Sequence, residues 1–309
     1  GMPAAARTAR HAALADAARK AGAHILLMGH TADDRLEAEA MRADGTNVSD
    51  PQSWAPSPAW PEGRGVFILR PLLDIRRKAL RDFLSGLGET WLDDPANVNA
   101  RFARARARAS LSGEASTGLA PEPPAAPVEG WREIFGALQT DGMVSPRALA
   151  AACLCAGGTA HPPDGAALKR LAALAASGHA FTATLAGARV QRRAGTLTVT
   201  REAGRVPSPV LLLDKDDVTV WDGRFEVRAA RSGLAVRALG GLASRLPKPQ
   251  RDALAAAPTP ARPTLPVLTD ASGAVACPLL ADKQAGGTAV SLIMDRFKAA
   301  CGEVQTESA

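Results

Sequence analysis

The stretch LLMGHTADDRLEAEAMR, residues 26–42, decides how the opening of this chain is read. An apolar run stops at Gly29-His30, Asp33 and Asp34 follow at once, and Glu37 comes three residues after Asp34. HILLMG has no polar alternation and reads as a short buried strand, followed by a helix over about 32–43. In open α/β sheets, ligands bind beyond the carboxyl ends of strands, where Gly29-His30 would lie. The next helix would turn its N-terminus to the same place and favour phosphate there. Asp33, Asp34 and Glu37 share a helical face through their three- and four-residue spacing. Two readings stay open. The acids can simply cap the helix and complement its dipole. Alternatively they can hold a Mg2+ that arrives with nucleotide phosphates. His30 by itself reads first as a turn histidine.

Upstream, residues 4–21 are strong helix formers with an apolar stripe, stopped by Gly22. Downstream, residues 44–65 carry four prolines and two tryptophans and read as loop. VFILRPLL is a second buried strand, after which Asp74 is placed to cap a helix over 75–87 that Gly88 ends. Helices and strands that alternate in this way predict a parallel α/β sheet. Only two clear strands are present, so Ile25-Leu26-Leu27 and Phe67-Ile68-Leu69 are expected to lack neighbours. Such edges predict either local instability or cover by a second copy, that is, a homodimer.

Residues 112–128 are rich in Pro, Gly and Ser and read as a linker. Residues 129–177 read as helices, with Ser145-Pro146 as a cap and Asp164 opening a stretch that ends at Gly178. FTATLAGARVQRRAGTLTVTREAG then alternates around a turn at Ala194-Gly195. VTVWDGRFEVRAA is a second hairpin, turning at Asp222-Gly223, and LPKPQRDALAAAP is a short helix. The expected organisation is an α/β domain over 1–111, the linker, a helical middle domain over 129–203 ending in a hairpin, and a β-rich domain over 204–309.

Hydrophobic residues make up 46% of the 309, but aromatics only 4%, with no Tyr, so the cores must be built from Ala, Leu and Val. No apolar run approaches the roughly 18–20 residues of a membrane span, and the N-terminus has no signal pattern. Four scattered cysteines include no C-x-x-C pair. Cys153 and Cys155 are expected to pack inside a helix. This usage argues for a reducing, cytoplasmic setting.

Net charge is +6, and where the arginines cluster matters more than the total. Arg76, Arg77, Lys78 and Arg81 lie on one predicted helix, and Arg101, Arg104, Arg106 and Arg108 on the next. Arg101, Arg104 and Arg108 share a face, with Arg106 turned away. This is either a solvated basic face or a surface for nucleic-acid phosphates.

Two segments carry a family resemblance. GHTADDRLEAEAMR is similar to the G-H-x-x-D-D-x-x-E segment of the tRNA(Ile)-lysidine synthetases. RPLLDIRRKALRDFL…WLDDPANVNARFARARAR resembles that family's second signature, which runs from R-P-L-L through a W-x-x-D-P-x-N turn to an R-x-R-x-R helix. The resemblance covers about residues 4–111 and is weaker at TLAGARVQRRAGTLTVTRE and RPTLPVLTDASG. It implies a Rossmann-like PP-loop ligase. Such an enzyme adenylates the first anticodon cytidine of a tRNA(Ile) with a CAU anticodon, using ATP and Mg2+, and L-lysine then displaces AMP. It further implies catalytic roles for Asp33, Asp34 and Glu37, with Mg2+ on Asp33 and Asp34. Gly29 and His30 would line the ATP site. Arg101, Arg104, Arg106 and Arg108 would contact tRNA, and Asp94, Pro95 and Asn97 would shape the pocket edge.

The sequence also departs from the family. Its phosphate-gripping S-G-G-x-D-S loop is not found here; CAGGTA and ALGGLAS do not fit it. Arg35 stands where the family favours Gln, and ADGTNV replaces its Arg-Gly-Ser-Gly. The expectation is a chain that opens late in the catalytic domain, after about 90 residues of strand–helix units, and is inactive alone. A non-catalytic tRNA-binding module and another PP-loop tRNA-modifying enzyme are the alternatives.

Overall fold

The computed structural model describes residues 2–46, 48, 51–93, 103–111, 124–204, 209–280 and 286–303. The chain forms two compact units, Gly1–Pro124 and Ala125–Ala309.

In the first unit, α1 (Met2–Lys20) leads into β1 (Ile25–Leu27) and α2 (Ala32–Ala43). Then come β2 (Trp54–Pro56), β3 (Phe67–Leu69), α3 (Arg77–Gly86) and α4 (Ala103–Leu111). The strands form a small sheet in the order β1-β3-β2. β1 and β3 are parallel, with Leu26 opposite Ile68, and β2 is antiparallel to β3. The expected loop over 44–65 therefore supplies a third strand. Prolines at 51, 56 and 58 hide it from a periodicity reading, yet Pro is admissible at a sheet edge because it forfeits only an outward N–H. Trp54 stacks on Phe67 with ring centroids 5.3 Å apart. β3 is consequently central, with Phe67 and Ile68 buried, contrary to the expectation that it lacks neighbours. β1 remains an edge. Ile25 is 48% and Leu27 70% exposed, so it is not the buried strand its composition suggested. Ala15, Ala18 and Val66, joined by Ala23 and Leu26, make a small core beneath α1.

α2 has the bounds read from its periodicity. α3 begins two residues later than expected, and Asp74 does not cap it. The N-cap position is Arg76, which makes no side-chain capping bond. At the other end Gly88, at φ +75°, closes the helix as expected: Gly88 N–H donates to Ser85 O (3.1 Å) and Glu89 N–H to Leu84 O (2.9 Å). That paired closure needs the left-handed conformation glycine adopts freely.

The second unit opens with a hairpin, β4 (Arg132–Ile134) and β5 (Ala137–Thr140), in a stretch expected to be helical. Phe135-Gly136 turns it, both at positive φ. The expected helices do follow as α5 (Pro146–Ala156) and α6 (Gly165–Ala176). Ser145 Oγ accepts from Ala148 N–H at 3.1 Å and Asp164 Oδ1 from Ala166 and Ala167 N–H at 3.0 Å. Next come β6 (Phe181–Leu185), β7 (Ala188–Arg193) and β8 (Thr196–Arg201). Together they form an antiparallel sheet in the order β4-β5-β8-β7-β6.

The remaining elements are β9 (Leu211–Leu213), β10 (Val218–Trp221), β11 (Phe225–Ala229), β12 (Leu234–Ala238), α7 (Lys248–Leu254), β13 (Pro266–Asp270), β14 (Val275–Ala276), β15 (Gly287–Ser291) and α8 (Ile293–Cys301). They build sheets β14-β13-β12-β9 and β10-β11-β15. One apolar cluster joins Leu149 and Cys153 of α5 with Val199, Trp221, Phe225 and Phe297, so the same core serves residues on both sides of position 204. All four cysteines are free and buried, Cys153 and Cys155 within α5 as expected. Burial pushes the Cys153 thiol up to about 12. Within this core Arg224 is fully enclosed. It donates to Asp222 Oδ2 at 2.7 Å and Thr264 O at 2.7 Å, and Arg201 pairs with the same aspartate at 3.0 Å. Among the described residues no helix is long and apolar enough to cross a membrane.

Candidate functional site

The α2 carboxylates expected to act as a group do lie together, and each is already engaged. Asp34 accepts both the Thr31 N–H (2.8 Å) and the Thr31 hydroxyl (3.0 Å) on Oδ2. It is thus the returning half of a capping box that fixes the start of its own helix. Asp33 reaches across to α3: Oδ1 takes Arg76 Nη2 at 3.0 Å and Oδ2 the Arg77 backbone N–H at 2.6 Å. Asp33 is therefore the cap that Asp74 was expected to be. Burial pushes its carboxyl up, but the hydrogen bonds from Arg76 and Arg77 and their charges outweigh that and hold it below the usual carboxylate range.

Glu37 is 1% exposed and sits among three arginines. Arg108 Nε lies 2.8 Å from Oε1, Arg104 Nε 3.2 Å from Oε2, and Arg77 Nη2 3.4 Å from Oε1. Arg104 Nη2 also comes within 3.6 Å of Asp34. Residues 104 and 108 lie one turn apart on α4, and that helix buries only Ala105 and Ala107, so small side chains let it settle on α2. A buried carboxylate needs such partners, because desolvation otherwise costs several kcal/mol. Arg106 faces away and is exposed. Arg101, Asp94, Pro95 and Asn97 lie outside the described residues.

Mg2+ demands near-octahedral oxygen ligation with its own waters. The oxygens of Asp33 and Glu37 and Oδ2 of Asp34 instead face guanidinium, hydroxyl or backbone donors. Among the described residues, no group of three or more His, Cys, Asp and Glu side chains is arranged to hold a metal ion. The donor set does not fit the metal expected on Asp33 and Asp34.

Cations dominate the other side of the β1 end. His30 Nδ1 accepts from Arg70 Nε at 3.2 Å, and Arg70 Nη1 donates to Gln52 O at 2.6 Å. Burial drives the His30 imidazole down; Asp34 opposes the shift, while Arg70, Arg104 and Arg7 reinforce it. His11 of α1 is buried, and burial followed by Arg10, Arg7, Arg70 and His30 takes it down to about 4. α1, the ends of β1 and β3, and α4 thus bring positive charge to one place, an environment suited to an anion. The sequence reading missed Arg7, His11 and Arg70. Arg70 had a legible signal, since it ends the second strand as Met28 ends the first. Gly29 is exposed, and a side chain there would meet nothing within 4 Å. It lines a cleft of about 720 Å³ together with Asp34, Arg77, Arg108, Leu84 and Trp91. Cationic and apolar walls around one cleft can receive a ligand with a phosphate and a flat base.

A family model described as a PP-loop domain matches residues 1–115. With strand ends that carry an acidic helix and converging cations, this defines the class: the first unit is a PP-loop domain, of an ATP-using kind. A tRNA(Ile)-lysidine synthase of Caulobacter vibrioides is 50% identical over 318 aligned residues, covering 100% of this chain and 77% of that protein. The chain therefore belongs to the tRNA(Ile)-lysidine synthase family. Synthases of the same name from Hyphomonas neptunium and Rhizobium meliloti are 37% and 33% identical, over 65% and 77% of the chain. The aligned parts make up 62% and 58% of those two proteins.

Proposed function

We propose that this chain serves the reaction its family is named for, the ATP-dependent joining of L-lysine to a cytidine of tRNA(Ile). The identity along the whole chain carries this reading. The first unit supports it with a cleft that has cationic walls beside an apolar one. In this reading Gly29 and His30 border the nucleotide, and Arg104 and Arg108 face RNA phosphates. Asp33, Asp34 and Glu37 act first by holding the arginines in place. The family reaction would bring Mg2+ with the ATP phosphates.

The 309 residues contain no S-G-G-x-D-S loop. A phosphate cradle of backbone N–H groups is preorganised, and losing even one such donor costs about 10²–10³ in rate. The chain by itself is therefore expected to bind RNA without turning over. The test has two arms. Filter binding should show a preference for a tRNA with the CAU anticodon over an unrelated tRNA; equal affinity sinks the lysidine reading. Incubation with ATP, Mg2+, lysine and that tRNA should release no AMP above background. Lysidine formed by the chain as given would show that other residues grip the phosphates.

A further inference from the structure

Arg70 is held in place by residues far from it in sequence. It follows β3, and its backbone N–H donates to Ser53 O at 2.8 Å, while Nη1 donates to Gln52 O at 2.6 Å. Those two carbonyls lead into β2, so the strand that pairs with β3 also clamps the guanidinium. Arg70 Nε donates across to His30 Nδ1 at 3.2 Å, 40 residues away. Residues 30, 52–53 and 70 are thereby joined at one end of the small sheet.

This bond decides the state of the imidazole. A guanidinium stays protonated and can only donate. His30 Nδ1 must therefore offer its lone pair, and in the neutral ring the proton sits on Nε2. A doubly protonated ring would set N–H against N–H. The surrounding charges act the same way: Arg70, Arg104 and Arg7 disfavour a cationic His30, opposed by Asp34. Among the described residues nothing else hydrogen-bonds to the imidazole, so Nε2–H is left to donate. A second imidazole stands nearby. His11 is 5% exposed and feels the charge of both Arg70 and His30, yet its Nδ1 has no hydrogen-bond partner among the described residues. Buried polar atoms in native proteins are ordinarily satisfied, so the cluster is built to receive a polar group from outside.

We propose that Arg70 is a positioning residue, which fixes His30 as an Nε2–H donor to an anionic phosphate oxygen of the bound nucleotide. Arg70 acts through the ring, as an outer partner orients an inner ligand. A donor fixed in advance needs no rearrangement when negative charge arrives. His30 then cannot serve as the base that takes a proton from an incoming amine, because Arg70 engages one ring nitrogen and the other already carries a proton. The nucleotide rests on the function proposed above; the relation between Arg70 and His30 does not.

The test uses the full 309-residue chain and two probes, AMP and adenosine, which differ by one phosphate. Neither needs a cradle for leaving pyrophosphate. Long-range 1H–15N correlation spectra, assigned by the signal lost in His30→Ala, should show the His30 proton on Nε2 and a bare Nδ1. The parent should bind AMP more tightly than adenosine. Arg70→Met should let both tautomers appear and cut the preference for AMP about tenfold, the worth of one hydrogen bond to a charged group. Arg70→Lys, which can still donate to Nδ1, should restore the Nε2–H tautomer and part of the preference. Arg70 also carries charge of its own, and a double-variant cycle separates the two effects. With His30→Ala in place, Arg70→Met should cost AMP nothing further. Thermal melting checks folding, and the spectrum of the parent gives a reading if Arg70→Met fails to fold. A His30 proton on Nδ1, or a ring protonated on both nitrogens at neutral pH, overturns the proposal. Additive losses from Arg70→Met and His30→Ala also overturn it, since Arg70 would then act on the ligand directly. A parent with the Nε2–H tautomer that binds AMP no better than adenosine overturns the donor role and leaves the proposed function standing. If the parent binds neither probe, the nucleotide reading of the site fails and the donor role fails with it.

Discussion

Asp33 on α2 accepts the backbone N–H of Arg77, 44 residues later, at 2.6 Å. A carboxylate that looks like part of its own helix start is the cap of the next helix. Together with the Arg76 contact, this ties α2 to α3 at the mouth of the cleft. Replacing Asp33 with Ala should cost about 1 kcal/mol, the usual worth of a helix cap. The loss should appear as faster amide exchange in the first turn of α3. The folded pKa of Asp33 lies below its unfolded value. Its contribution is therefore complete above about pH 4 and is lost as pH falls through the lower folded value. The stability difference between the parent and Asp33→Asn should shrink below about pH 4; a difference that grows on acidification would contradict the assignment.

His11 gives a dependence in another window. Its folded pKa is about 4, below the unfolded value of about 6.5. The unfolded state therefore takes up the proton first. The contribution is complete above about 6.5 and declines as pH falls towards about 4. Urea unfolding of the first unit should show this decline, and His11→Gln should flatten it.

Glu37→Gln should be the most damaging single change at the site. It leaves Arg77, Arg104 and Arg108 around a neutral side chain, and breaking a buried pair costs about 3–5 kcal/mol. Exchange protection should fall in α2 and α4 while β7 and β8 of the second unit stay protected. A variant as stable as the parent would mean that the arginines gain nothing from this carboxylate.

Arg104→Ala with Arg108→Ala should weaken tRNA binding and reduce its dependence on salt, because each phosphate contact contributes about 0.9 to the slope. Binding as tight as the parent's at every salt concentration would reduce α4 to a helix that only pairs with Glu37.

The edge strand β1 is expected to exchange faster than β7 and β8, since Ile25 and Leu27 lie open and strand edges without cover open locally. Equal protection at 24–29 in a dilute sample would count against this.

Local rules made much of the chain legible. Helical periodicity gave α2 its bounds, Gly88 the end of α3, Ser145 and Asp164 the starts of α5 and α6, and Asp222-Gly223 the turn between β10 and β11. Each depends on residues within a few positions of one another. The motif around His30, Asp33, Asp34 and Glu37 is likewise local, and its residue types and spacing alone resemble the family's segment. What sequence could not decide was the partner of each group. Asp33 faces Arg76 and Arg77, Glu37 faces residues 40 and 71 positions away, and His30 faces Arg70. Trp54–Pro56 became a strand because β3 offered an edge, and 132–140 a hairpin because β8 offered another. A carboxylate on a helix face looks the same in sequence whether it meets a metal, water or a guanidinium. Only packing, which brings distant segments within 3 Å and removes the water between them, decides which.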